Sequence, residues 1–296
     1  MKLISVEVGL AAIGLWQAFG QTKPAETFYS QAQRAIFRLE HAELNVLANR
    51  VSFEFGTGFY VHTEKNNWYV ITAAHVADVA FPYSVTIPLA LDDGSSVIAR
   101  MVLPADKWEF HSSAQDGEHF RTDVAAMKIR YLGGNLRSFF YCPKQCTENQ
   151  YNQLDTDAEP PDIVMVFGFP VEAGLKVSRP LGRQGMVAFV DAETDAISVE
   201  NKWFDKHGFV IDIPTIVGGA SGSPVIRMPL FGRLTLVGLN SASNPSGGYA
   251  VAEPVSRIRE LLDRLEEKNV SAVDPWCLAS ENDAKRITNN TIPVCK

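Results

Sequence analysis

Gly218-Gly219-Ala220-Ser221-Gly222-Ser223-Pro224 sets a serine among glycines between two apolar runs. Glycine has no Cβ, so such a turn can take unusual dihedrals and let another molecule approach the main chain. A serine held there can present its Oγ beside outward-facing backbone N–H groups. Acyl transfer needs both a nucleophile and donors for the oxyanion. By itself the turn is equally compatible with a plain Gly/Ser hairpin. The chemistry also needs a base and an acid. His75 follows Thr72-Ala73-Ala74 at the end of a β-rich run, and Asp123 follows Thr122 and opens the apolar run Val124 to Ile129. Taken singly, one reads as a satisfied histidine and the other as a turn aspartate. Together, in the order His, Asp, Ser, they supply the three roles of a nucleophilic triad. His41, His62, His111, His119 and His207 form no ligand cluster and read as surface or structural residues, so neither a metal nor a cofactor is expected.

The elements that must position these residues are strands. Val51 to Phe55 alternates apolar and polar with period two, and Gly56-Thr57-Gly58 leads into Phe59-Tyr-Val61. Trp68 to Thr72 is a further strand, and Tyr83 to Leu91 with Ser95 to Leu103 reads as a hairpin turned at Asp93-Gly94. Residues 134 to 160 are rich in turn residues and acids and read as a connection between two halves. Strand patterns resume at Ile163 to Phe167, Gly185 to Val190, Ala196 to Glu200, Phe209 to Ile213, Leu234 to Leu239 and Tyr249 to Ala252. One helix is clear: Val255 to Lys268 carries Ile258, Leu261, Leu262 and Leu265 on one face, and it is expected to dock on the second half. Many short strands with Gly/Pro turns and little helix define an all-β chain.

On these residues the chain resembles the trypsin-like (chymotrypsin-fold) serine proteases. Thr72-Ala-Ala-His75 is similar to that family's histidine motif, Thr122-Asp123-Val-Ala-Ala-Met to its acid motif, and Gly219-Ala-Ser221-Gly-Ser-Pro224 to its nucleophile motif. The resemblance spans about residues 33 to 262. It implies two six-stranded antiparallel β-barrels, at 35–133 and 161–253, with a closing C-terminal helix at 254–268 and a polar tail at 269–296. It also implies a serine endopeptidase in which Ser221 attacks, His75 moves the proton and Asp123 orients the imidazole. The N–H groups of Gly219 and Ser221 would form the oxyanion hole. The ending Ser-Gly-Ser-Pro-Val, with Gly238-Leu-Asn-Ser241 and Tyr249-Ala-Val, is nearer the bacterial-type and HtrA-like members, although too few residues follow Leu262 for the PDZ domain of HtrA proteins proper.

Two departures bear on regulation and specificity. Ala220 stands where digestive-type enzymes carry the aspartate that pairs with a newly cut N-terminus, so that activation switch is not expected. By motif alignment the substrate pocket has Thr215 or Ile216 at its base, Ser241, Ala242 and Ser243 on one wall, and Gly247 to Tyr249 on another. No acid lies at the base, which argues against a Lys/Arg preference. Asn240, where glutamyl-specific relatives place a histidine, argues against theirs. A small or medium apolar residue at the cleavage site is expected. The alternatives are a non-catalytic binding protein on the same scaffold, and an esterase or amidase on an unrelated fold.

A chain of 296 residues with 46% hydrophobic and 21% charged residues can build a sizeable core. Its net charge of −7 and lack of a basic stripe argue against nucleic acid as the partner; a protein or peptide substrate is what the resemblance implies. Lys2, the apolar run Val8 to Trp16 and Ala18-Phe19-Gly20 outline an export signal over residues 1–20, interrupted by Glu7, with 21–34 as a linker. Export to the periplasm or outside the cell is the expectation. A cytoplasmic location, or anchoring by an uncleaved N-terminal segment, is the alternative, and no stable membrane insertion of the mature chain is expected. Cys142 with Cys146, and Cys277 with Cys295, suit two short-range disulfides. The sequence does not define an oligomeric state.

Overall fold

The computed structural model describes residues 32–278 apart from 33, 46–49, 79–82, 91–95, 112–121, 131–137, 143–152, 155, 170–179, 191–196, 200–201, 205–207, 215–218, 229–234, 245 and 275. The expected signal segment and the end of the tail lie outside these residues. The N-terminal half contributes β1 (Ile36–Asn45), β2 (Arg50–Thr63), β3 (Trp68–Thr72), β4 (Tyr83–Ala90), β5 (Ser96–Leu103), β6 (Glu109–Phe110) and β7 (Ala125–Ile129). The connection holds β8 (Phe139–Tyr141) and β9 (Gln153–Leu154). The C-terminal half contributes β10 (Ile163–Gly168), β11 (Leu181–Val190), the small hairpin β12 (Ile197–Val199) and β13 (Lys202–Phe204), β14 (Phe209–Asp212), β15 (Pro224–Arg227), β16 (Thr235–Asn244) and β17 (Tyr249–Pro254). A final strand, β18 (Trp276–Leu278), lies in the tail. Among the helices are the one-turn α1 (Ala74–Ala77) and α2 (Val255–Lys268).

The C-terminal half closes. Strands β10, β11, β14, β17, β16 and β15 pair in that order, all antiparallel, and β15 returns to β10. Period-two alternation sends Val164 and Val166, Phe209 and Ile211, and Ala250 and Ala252 into the barrel, where all are buried. Small side chains on β17 leave room for Phe209 inside the ring. Closure removes sheet edges that would otherwise be open to other chains.

The N-terminal half forms a sheet in the order β8-β2-β1-β4-β5, with β3, β7 and β6 branching from β2. Two closed barrels are the expectation; among the described residues this sheet does not close. Two features account for that. The outer edge of β5 is occupied by β18, register Cys277 to Arg100, and β6 is two residues long and pairs β7 alone. The tail is therefore held by backbone pairing, reinforced where Val273 N–H donates to the Lys128 carbonyl at 2.9 Å and Arg130 N–H to the Val273 carbonyl at 2.7 Å. The connection is also less irregular than its composition suggests, because β8 joins β2 and β9 joins β16 in parallel. Of the four cysteines, Cys142 is half-buried after β8; the positions of Cys146 and Cys295 and the side chain of Cys277 lie outside the described residues.

Helix α2 spans the length its periodicity predicts and ends at Asn269, whose left-handed backbone (φ 47°) stops the ladder. Its face of Val255, Ile258, Leu261, Leu262 and Leu265 is buried in the largest core, with Leu236 and Leu239 of the barrel but also with Tyr69 and Met127 of the N-terminal half and Phe139 of the connection. Docking is thus on both halves. Glu266 is the anchor: its carboxylate accepts from Tyr69 OH (2.8 Å), Asn67 Nδ2 (2.9 Å) and Thr63 Oγ1 (3.1 Å), with Lys65 Nζ at 3.4 Å. Burial pushes this carboxyl up, but the hydrogen bonds from Tyr69, Asn67 and Thr63 and the Lys65 charge hold it below the usual carboxylate range. A lowered folded pKa stabilises the fold fully above the unfolded value, about 4.3, and the contribution disappears as pH falls through the lowered value. Glu266→Ala leaves the buried Tyr69 hydroxyl without its acceptor. We expect a loss of about 2–3 kcal/mol in urea unfolding at pH 7, and a smaller difference from wild type in acid.

Candidate active site

His75 and Asp123 sit at one end of one strand pair. Strand β3 runs antiparallel to β7 with Thr72 opposite Ala125, so the residues just after β3 and just before β7 meet there. His75 lies in α1 and Asp123 two residues before β7. The backbone N–H of His75 donates to Asp123 Oδ1 at 2.9 Å, and its Nδ1 lies 2.6 Å from Asp123 Oδ2. An ionised carboxylate only accepts, so Nδ1 carries a proton, and in the neutral form of the imidazole the lone pair is then on Nε2. Burial pushes the Asp123 carboxyl up; the His75 charge and hydrogen bond, the Ser241 hydroxyl and the His75 amide outweigh it and leave the group below its ordinary value. Asp123 is an anion at neutral pH.

The serine turn belongs to the C-terminal barrel and is fixed by its carbonyls. Ala220 O accepts from Ser223 N–H (3.0 Å) and Asn240 Nδ2 (3.0 Å), and Gly222 N–H donates to Asn240 O at 2.8 Å. The N-terminal half reaches across at Thr57, whose N–H donates to Ser221 O (2.8 Å) and whose hydroxyl donates to Gly219 O (2.9 Å). Glycine is required at two points. Gly219 and Gly222 have φ of 88° and 83°, and a Cβ on Gly222 would collide with the Thr57 carbonyl and the Thr72 hydroxyl. With its carbonyls engaged, the loop keeps the N–H groups of Gly219 and Ser221 out of hydrogen bonds among the described residues. Those are the two donors expected of an oxyanion hole.

Ser221 is half-buried and Ser223 wholly buried, so Ser221 carries the accessible hydroxyl of the turn. Its Oγ donates to the carbonyl of Ser241 at 3.3 Å. Among the described residues no hydrogen bond joins it to His75; in ligand-free sites such bonds commonly tighten only with substrate present. Ser241 links the parts. Its own hydroxyl donates to Asp123 Oδ2, so one residue touches both the acid and the nucleophile. A register shift between Asn240 and Ala242 makes Ser241 the irregular residue of β16, and a bulge re-aims a side chain in this way.

The residues expected to line a pocket fall in different surroundings. Thr215 and Ile216 lie outside the described residues. The Ser241 side chain is turned to Asp123 rather than lining a wall, because the bulge aims it there. Asn240 is buried behind the nucleophile turn, where its side-chain amide donates to the Ala220 carbonyl. Ala242 and Tyr249 pack on Val251, forming a small apolar cluster beside Ser241, with Ser243 following on the same strand and Asn244 Nδ2 donating to Tyr249 OH at 3.1 Å. His62 is structural: it stacks on Trp68, its Nδ1 meets Ser138 Oγ at 2.7 Å, and burial pushes it down to about 4. His111 is also structural, its Nε2 lying 2.9 Å from Glu260 Oε2 on α2.

The fold is mostly β, with one closed six-stranded antiparallel barrel, and is compatible with a chymotrypsin-like architecture. No family model matches this chain, and no curated protein matches it.

Thr57 and Glu253 belong to the site although their sequence context does not announce them. Thr57 had one signal, its place between two glycines inside a strand, which marks a close backbone approach. Here the approaching backbone is the Ser221 turn.

Proposed function

We propose that the chain is a serine endopeptidase of the trypsin-like kind, in which the N-terminal sheet is the counterpart of that architecture's first barrel. One observation carries the reading: the Asp123–His75 pair, bonded at 2.6 Å, is joined through Ser241 to the Ser221 hydroxyl. In the first step Ser221 Oγ adds to the scissile carbonyl while His75 Nε2 takes its proton. Asp123 holds the imidazolium that results, and the N–H groups of Gly219 and Ser221 receive the oxyanion, each donor being worth about 3–4 kcal/mol of barrier. His75 then protonates the leaving amine, and water reverses the sequence to release the acid.

Ala242, Tyr249 and Val251 support a small or medium apolar residue on the acyl side of the cut bond. Incubation with a peptide library and mass-spectrometric mapping of the products tests this. Cuts after Ala, Val or Leu that vanish in Ser221→Ala agree with it; intact peptides under all conditions would refute the endopeptidase reading.

A second reading, a binding protein on the same scaffold, is favoured by the Ser221 hydroxyl pointing to Ser241 rather than to His75. An esterase or amidase would cleave activated esters while leaving the library intact. Export, with pairing of Cys142 to Cys146 and Cys277 to Cys295, belongs to the protease proposal. The N-terminal sequence of secreted material, with thiol counting on the same sample, tests both.

A further inference from the structure

Asp123 is held from a second direction, through its backbone. Its N–H donates at 2.8 Å to Oε1 of Glu253, a residue 130 positions away that is 1% exposed. Glu253 lies on β17 opposite Leu239, in the alternation phase that faces out of the barrel, while Ala250 and Ala252 face in. That outward face is turned towards the N-terminal half. An acid there is unexpected on packing grounds, because burying a carboxylate is unfavourable unless hydrogen bonds compensate it. Among its partners is the amide of Asp123, which precedes β7 and, among the described residues, has no ladder partner on that side. Ser241, on the neighbouring strand β16, holds the side chain of the same residue. Two adjacent strands of one half thus grip the acid of the other, one by its backbone and one by its carboxylate.

We propose that Glu253 is a positioning residue for the reaction. By accepting the Asp123 N–H across the seam, it fixes the backbone from which the Asp123 carboxylate reaches His75. This rests on the triad reading given above. The role belongs to the acceptor oxygen, so a side chain of equal shape that keeps an oxygen restores it, and one that lacks an acceptor does not.

Glu253→Met and Glu253→Gln separate these cases, read by kcat and KM on one peptide and by the far-downfield proton resonance of His75 Nδ1–H. In Glu253→Met we expect kcat to fall about 10- to 100-fold with KM unchanged, as small displacements of catalytic groups do, and the downfield resonance to shift or broaden. In Glu253→Gln both should return to near wild type. A methionine variant with wild-type kcat and an unmoved resonance would overturn the proposal, as would a glutamine variant as impaired as the methionine one. Should the methionine variant not fold, hydrogen exchange in the wild type decides. A slow Asp123 amide, together with a restored glutamine variant, supports the proposal, and an Asp123 amide exchanging as fast as an open loop overturns it. The resonance and the exchange rate need no turnover. A wild type that cleaves nothing therefore counts against the protease reading, while these two measurements still report on Glu253.

Discussion

Replacing Ser221 by alanine is expected to lower kcat by about six orders of magnitude while leaving KM and thermal stability unchanged. The size follows from the serine's being the one group that forms a bond to substrate in the proposed mechanism. The unchanged stability follows from how the turn is held. Its shape comes from carbonyls bonded to Thr57, Ser223 and Asn240, and the Ser221 hydroxyl contributes a single long bond at 3.3 Å. Residual turnover above the uncatalysed rate, about 10³- to 10⁴-fold, should persist because the oxyanion donors are backbone groups that the substitution leaves in place. Steady-state kinetics beside a melting curve measures both. Ser223→Ala is the control: that hydroxyl is wholly buried, and its removal should not touch kcat on this scale.

Asp123→Asn is expected to cost about 10⁴ in kcat at pH 7. Three donors converge on this carboxylate: the His75 N–H on Oδ1, and His75 Nδ1 with the Ser241 hydroxyl on Oδ2. An asparagine must turn its NH2 towards one of these groups. Facing Nδ1, it forces the imidazole proton to Nε2, and the nitrogen that should accept from Ser221 then has nothing to accept with. The pH dependence has a definite sign. The folded carboxyl lies below its ordinary value, so its ionised form and the stability it brings are complete above about pH 3.9, and are lost only as pH falls through the lowered value. The wild-type protein should thus show no loss attributable to Asp123 between pH 5 and 8. The asparagine variant should regain activity as pH rises and hydroxide assists. A pH–rate profile of both proteins checks this.

Much of the site was legible because its parts are local motifs. Thr72-Ala-Ala-His75 and Thr122-Asp123 sit at the ends of short, nearly continuous apolar runs that read as buried strands, and those two strands prove to be hydrogen-bonded neighbours. The glycine turn is legible for the same reason, since only glycine serves at Gly219 and Gly222. Helix α2 was readable to the residue from its 3–4 spacing. What was not legible is what depends on pairings distant in the chain. The strand at β5 looks like any other, and nothing in it announces that Trp276–Leu278 will take the edge where a barrel closure was expected. Ser241 looks like a pocket residue by alignment, and a one-residue bulge beside it turns its hydroxyl onto Asp123. Glu253 sits in a run, Tyr249-Ala-Val-Ala-Glu-Pro254, that reads as an ordinary strand end; its partner is the amide of a residue 130 positions earlier.

In the proposed mechanism Ser221 is a nucleophile activated by His75. A fluorophosphonate probe tests it without any assumption about the natural substrate, since the probe is attacked only by an activated serine. We predict stoichiometric labelling of the folded wild type, with the adduct mapped to Ser221 by peptide mass spectrometry, and none in Ser221→Ala or His75→Ala. Absence of labelling in wild-type protein shown to be folded, or an adduct on any other serine, would contradict it.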